Sequence, residues 1–278
     1  MIDIRRFALN RIVYPSAGLD EFFDIARDAG MDQVELRNDI RDGKVIDDID
    51  PQAALNLAHR RGMRVITINA LQKFNLASVR ESKVEELRDL LRLARSIECG
   101  AVVMCPNNDA SDLRDPEGRF SETVDALEAF GPLFTKNGVI GLVEPLGFSI
   151  SSLASVKVAQ DAIRKSGHSC YRIVFDTFHH DIGPDTEALI RAELDVSLIG
   201  LLHVSGVEAS IPKETYLDAH RVLPGPADRM KSRDQIKLLL ELGYTGPISF
   251  EPFAESVQKM GRTQVVDELK KSLRYLAA

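Results

Sequence analysis

The sequence predicts an α/β chain folded as a single (β/α)8 barrel over residues 1–278, with parallel strands and its working face at their carboxyl ends. Three observations carry that prediction. A phrase made of a polar helix end, a glycine and a short apolar run recurs along the chain. Its copies are spaced at 32, 38, 38, 29 and 76 residues, the last interval being twice 38. The length, 278 residues, slightly exceeds the ~250 usual for eight strand–helix units. A doubly wound open sheet is the structural alternative, but no GxGxxG or GxxxxGK[ST] follows any strand, which counts against its nucleotide-binding versions.

The strands follow in order. RRFALN opens the chain and supplies a strand near 5–9. DAGMDQVEL around Gly30 and RRGMRVITI around Gly62 place strands near 33–37 and 64–69. ECGAVVMC at Gly100, KNGVIGLVE at Gly138 and KSGHSCYRIVF at Gly167 place strands near 101–105, 139–144 and 171–176. VSLIGLLHV fills the double interval with a strand near 198–204, and ELGYTGPISF at Gly243 places the last near 247–251. Each glycine is expected just past a helix, because it alone takes the left-handed conformation cheaply. The runs are short and rich in Val and Ile, as befits parallel strands buried on both faces. Between them, Val84, Leu87, Leu91, Ala94 and Ile97 recur at helical spacing. Val124, Leu127, Phe130 and Phe134 do the same after Ser121, read as an N-cap.

Composition bounds the partners. With 44% hydrophobic and 28% charged residues the chain reads as globular rather than disordered. The net charge of −7 offers no electrostatic footprint for phosphate backbones, so no nucleic-acid partner is expected. Cys99, Cys105 and Cys170 form no CxxC pair, which argues against a disulfide framework and for a reducing, cytoplasmic setting. No run approaches the roughly 18 apolar residues of a membrane span, and no signal-like segment opens the chain. A homo-oligomer is left open.

The long segments, 38–50, 70–79, 106–120 and 205–230, follow strands rather than helices, which orients the barrel. Strands five to eight each finish on an ionisable residue: Glu144 in GLVEPLGF, Asp176 in RIVFDTFHH, His203 in IGLLHVSG and Glu251 in PISFEPF. Burying several carboxylates together costs several kcal/mol per ion unless a cation compensates. Adjacent strands lie about 4.8 Å apart, so four successive ends converge. Three carboxylates and an imidazole around one point suit one divalent metal ion, Mn²⁺, Mg²⁺ or Co²⁺ with Zn²⁺ also fitting. The two Glu-Pro pairs keep Glu144 and Glu251 extended on the pleat. His179, Arg221, Arg37, Asn69 and Asn107 lie at or beyond strand ends and are candidate readers of substrate oxygens. Cys105 reads as a small core hydrophobe, His180 as structural or surface, and His59 as surface.

These residues resemble the xylose isomerase-like TIM barrels, a family of sugar isomerases, ketose 3-epimerases and inosose-processing enzymes. The likeness spans the chain through its VEP, DTFH, HVSG and FEPF phrases. It is most similar to the bacterial 2-keto-myo-inositol isomerase branch, through VELRND, ITINA and GLVEPLGF. The resemblance implies that Glu144, Asp176, His203 and Glu251 bind one divalent metal, with His179 a pocket histidine and Arg221 the loop arginine. Ketose epimerases carry a second glutamate where this chain has Ile150, and the family's PGxG turn reads PGPA at 224–227.

The expected activity is a carbonyl–hydroxyl interchange on a polyol ketone, with Glu144 and Glu251 moving the proton through an enediolate. Ketose 3-epimerisation, hydroxypyruvate isomerisation and inosose dehydration use the same parts. A metal-dependent abasic-site endonuclease is disfavoured, because strands two and three end on Glu35-Leu36-Arg37 and Asn69-Ala70, without histidine. A non-catalytic sugar-binding barrel is the remaining class.

Overall fold

In the computed structural model, which describes residues 2–278, each strand pairs in parallel with its neighbours in sequence and β1 also pairs with β8, closing the barrel. The strands are β1 Phe7–Asn10, β2 Gln33–Arg37, β3 Arg64–Leu71, β4 Ala101–Met104, β5 Ile140–Val143, β6 Tyr171–Asp176, β7 Ile199–Val204 and β8 Ile248–Phe250. Outside them run α1 Leu19–Asp28, α2 Pro51–Arg61, α3 Arg80–Ser96, α4 Pro116–Asn137 and α5 Val156–Ser166. The chain continues through α6 Thr177–Ile182, α7 Glu187–Glu193, α8 Ser232–Glu241, α9 Glu255–Gln258 and α10 Arg262–Ala277. Among the described residues no helix is long and apolar enough to cross a membrane.

Three local expectations need correction. Arg5 and Arg6 belong to a short 3-10 turn whose start Asp3 caps, so β1 begins at Phe7 rather than at 5. Ser121 lies inside α4; the helix starts earlier because Asp115 accepts from the Gly118 N–H and Pro116 brings a helical φ to the first turn. Gly62 and Gly138 end their helices with φ of 68° and 64°, as expected, but after α3 the left-handed residue is Glu98 rather than Gly100.

Two apolar layers hold the barrel. The larger packs the outward faces of the strands against α1–α5, α8 and α10. The smaller fills the interior with Ala101, Val103, Leu142, Val174 and Leu201. Side chains on a strand alternate between faces. Two residues beyond Val103, Leu142, Val174 and Leu201 therefore lie Cys105, Glu144, Asp176 and His203, the next interior layer toward the carboxyl ends. An apolar plug thus forms the floor of a polar ring.

Candidate metal centre and substrate pocket

Strand register brings the ring together. Asp176 pairs with His203 across β6 and β7, and His203 with Ser249 across β7 and β8. Glu144 and Glu251 lie one residue past their strands, but their N–H groups still donate to Met104 and Val204 carbonyls at 3.0 and 2.9 Å, so the ladder carries them. One ligand atom from each of Glu144, Asp176, His203 and Glu251 lies within 4.8 Å of the others, and all four side chains are buried.

Each ligand candidate is held by a second set of contacts. Asp176 starts α6: its Oδ1 accepts from the N–H groups of Phe178 and His179 at 2.6 and 3.2 Å, leaving Oδ2 toward the ring. Arg221 Nη2 donates to Asp176 Oδ2 at 2.6 Å and to Glu251 Oε2 at 3.0 Å. Arg37 Nη1 donates to Glu251 Oε1 at 2.7 Å while its other nitrogens grip Asp39. Phe253 lies between the two arginines, its ring centre 5.2 Å from the Arg37 guanidinium and 4.6 Å from that of Arg221. His203 Nδ1 sits 2.8 Å from Glu144 Oε1 and 3.1 Å from Glu251 Oε2. Glu144 Oε2 has only the Cys105 thiol, which donates to it at 3.4 Å.

Charge follows from this crowding. Burial disfavours ionised Glu251, but His203 and then Arg221 and Arg37 overcome it and hold the carboxyl well below its usual range. Burial opposes charge on His203 too, yet Glu251, Glu35 and Glu144 raise it well above an ordinary imidazole. For Asp176 burial wins over Arg221, and the carboxyl is raised. Burial and the Glu144 charge push the Cys105 thiol up, so it stays a neutral donor.

The donor set fits a divalent ion. Glu144, Asp176 and Glu251 are buried together, and only Asp176 and Glu251 of the three pair with the buried guanidiniums of Arg37 and Arg221. Three carboxylates and an imidazole with ligand atoms within 4.8 Å of one another are the donors a divalent cation takes, provided His203 lends a lone pair rather than a positive charge.

Above the ring is a pocket of about 230 Å³, walled by Arg37, Asn69, Glu144, His179, Arg221 and Glu251 among others. His179 is buried between Phe148 and Phe178, its Nδ1 without a partner, and burial lowers its pKa to about 4. A wider groove of about 860 Å³ opens beside the pocket, between α4 and the 147–155 loop; it shares Phe148 and includes none of the four ligand candidates.

Most residues singled out from the sequence converge here, with one exception. Asn107 is buried but its amide donates to Asp112 at 3.0 Å, away from the pocket; Asn108 lines the wall instead, where the loop pairs with Ser151. Despite the altered PGPA turn, Arg221 reaches the ring. Ile150 is 40% exposed and is not part of the pocket wall. His180 is structural, with Nδ1 2.9 Å from Gln235 and its ring against Phe175, and His59 is an exposed partner of Glu98.

Sequence reasoning missed Glu35, Asn10 and Phe253. A signal for Glu35 was present: in QVELR the polar residues Gln33, Glu35 and Arg37 alternate with Val34 and Leu36, the period of a strand with a polar inner face. Register then sets Asn10, Glu35 and Thr67 side by side on β1, β2 and β3.

A family model described as xylose isomerase-like TIM barrel matches residues 23–278. A xylose isomerase domain containing protein from Salmonella typhimurium LT2 is 35% identical, over 100% of this chain and 99% of that one, with a TM-score of 0.93. The crystal structure of IOLI protein with a bound zinc atom is 18% identical over 98% of each chain, with a TM-score of 0.88. D-psicose 3-epimerase from Clostridium cellulolyticum H10, solved with D-tagatose, is 17% identical over 98% of this chain and 100% of that one, with a TM-score of 0.75. The last two are likenesses of fold. No curated protein matches the sequence.

Proposed function

The chain belongs to the xylose isomerase-like TIM barrel family, and from its buried site we propose a divalent-metal-dependent isomerase that interchanges carbonyl and hydroxyl on a polyol ketone, with 2-keto-myo-inositol as the preferred substrate. The observation that carries this is the pairing of Glu144 and Glu251: both line one small pocket and both reach the same nitrogen of His203, at 2.8 and 3.1 Å. Two carboxylates so placed address adjacent carbons of one bound substrate.

Glu144, Asp176, His203 and Glu251 would hold the ion, which when bound supplies Lewis acidity toward the substrate carbonyl oxygen and its neighbouring hydroxyl. Glu144 takes the proton from carbon, because its Oε2 carries only a thiol contact. Glu251, ionised at rest with its two oxygens held by Arg37 and Arg221, receives that proton from Glu144 and delivers it to the adjoining carbon, so both carboxylates end as they began. The transfer runs through an enediolate, with the hydroxyl proton passing to the former carbonyl oxygen. His179, neutral through burial, offers an unpartnered ring nitrogen to a substrate hydroxyl. Phe148 and Phe253 line the same pocket and keep water from the reacting carbons.

A neutral substrate suits this wall. Arg37 and Arg221 each already face two or more carboxylates, so neither is left over for an anionic group. The position of Ile150 weighs against ketose 3-epimerisation, and a single-domain, cytoplasmic enzyme agrees with three free buried cysteines.

A substrate panel of inososes, ketohexoses and hydroxypyruvate, assayed with EDTA-stripped and with Mn²⁺-, Co²⁺-, Mg²⁺- or Zn²⁺-reconstituted protein, tests the proposal. Turnover of an inosose restored by metal is expected. Preferential turnover of a ketohexose, or ligand binding without turnover, would overturn it.

A further inference from the structure

Glu35 has no part in the chemistry described above, yet it is wholly buried beside it. Its carboxylate sits on the far side of the His203 ring, with both oxygens 3.1 Å from Nε2. Thr67 Oγ1 and Asn69 Nδ2 donate to Oε2 at 2.5 and 2.9 Å, and Asn10 Nδ2 donates to Oε1 at 3.2 Å. A carboxylate offers about four lone-pair sites. Three neutral donors and the imidazole fill them, so Glu35 is fixed in place. It does not line the substrate pocket, and its contact with the ring of ligands runs through His203 and Asn10.

The two nitrogens of His203 therefore face different partners. Nδ1 points at Glu144 and Glu251, and Nε2 points at a carboxylate that only accepts. A neutral imidazole carries one N–H and one lone pair, and the hydrogen bond made by one nitrogen decides which is which. Asn10 extends the frame, since its amide donates at 3.2 Å both to Glu35 Oε1 and to Glu251 Oε1.

We infer that Glu35 is a positioning residue for the metal centre: it accepts the Nε2–H of His203 and so commits the Nδ1 lone pair to the ion. An outer carboxylate–histidine contact of this kind sets ligand orientation, and losing one typically costs about 10- to 100-fold in metal affinity. The inference rests on the proposed function only in taking His203 as a ligand.

Calorimetric titration of EDTA-stripped protein with Zn²⁺ and Mn²⁺, comparing wild type with Glu35→Gln, provides one arm of the test. Long-range proton–nitrogen NMR of the His203 ring in Zn²⁺-loaded wild-type protein provides the other and needs no variant to fold. Expected are a proton on Nε2 in the wild type and metal binding about 10- to 100-fold weaker in a Glu35→Gln protein shown to be folded by circular dichroism at the titration temperature. A proton on Nδ1 in the wild type, or equal affinity in a folded Glu35→Gln protein, would overturn the role of Glu35 while leaving the metal centre standing. Failure of the wild type to bind either ion overturns both.

Discussion

Asp176 and Arg221, 45 residues apart in sequence, meet at 2.6 Å in the barrel interior, with almost no exposed side-chain surface on either. The same aspartate uses its other oxygen to start α6, so one side chain both terminates a strand and begins a helix.

That double duty separates two substitutions. Asp176→Ala removes the cap, worth about 1 kcal/mol, and strips a buried arginine of one partner, a loss of about 3–5 kcal/mol for broken buried pairs. Asp176→Asn keeps the size and the capping oxygen and loses the charge. Urea unfolding is expected to show both variants several kcal/mol less stable, the Ala variant by about 1 kcal/mol more than the Asn variant. Both variants should lose divalent-metal binding by calorimetry. Equal losses in the two variants would mean that the cap contributes nothing to stability.

His179 makes stability depend on pH. Its imidazole is ordinary at 6.5 in the unfolded chain and is pushed down to about 4 by burial and the Arg221 charge. Above pH 6.5 both states are neutral there and the full stability is present. As pH falls from 6.5 to 4 the unfolded chain takes up a proton that the folded one refuses, so on the order of 3 kcal/mol is lost across that window. His179→Gln should show a shallower decline of the unfolding free energy between those pH values. Parallel declines would place the acid sensitivity elsewhere.

Gly147 is tied to the pocket by space alone. A Cβ there would lie 2.0 Å from the His179 carbonyl oxygen and 2.9 Å from the Gly183 nitrogen, both backbone atoms. Gly147→Ala must therefore move the turn that carries His179. It is expected to cost at least the ~1–3 kcal/mol of ordinary overpacking and to raise KM for the substrate. Thermal unfolding and steady-state kinetics of this variant check both effects.

Much of the molecule was legible in the sequence because barrels repeat. Glycine-marked helix ends and short apolar runs located all eight strands, and seven began within one residue of their expected starts. Ionisable residues at the ends of strands five to eight stood out because each interrupts an apolar run. Glu35 did not, because it lies inside β2 among other polar residues, and its importance comes from register with Asn10 and Thr67 across three strands. Loop detail was equally hidden: Asn107 is held by Asp112 and Asn75, while Asn108, bridged to Ser151, lines the pocket. Ser121 misled because the stronger Asp115-Pro116 start lies one turn and a half upstream.

The central claim is that Glu144 and Glu251 shuttle a proton between adjacent carbons of a polyol ketone. Proton NMR of an inosose in heavy water, with metal-reconstituted wild type, Glu144→Gln and Glu251→Gln at metal concentrations that load each protein, measures it directly. Wild-type protein should wash deuterium into the carbon beside the carbonyl, and each variant should slow that exchange by about 100-fold or more. Undiminished exchange in both variants would contradict the assignment.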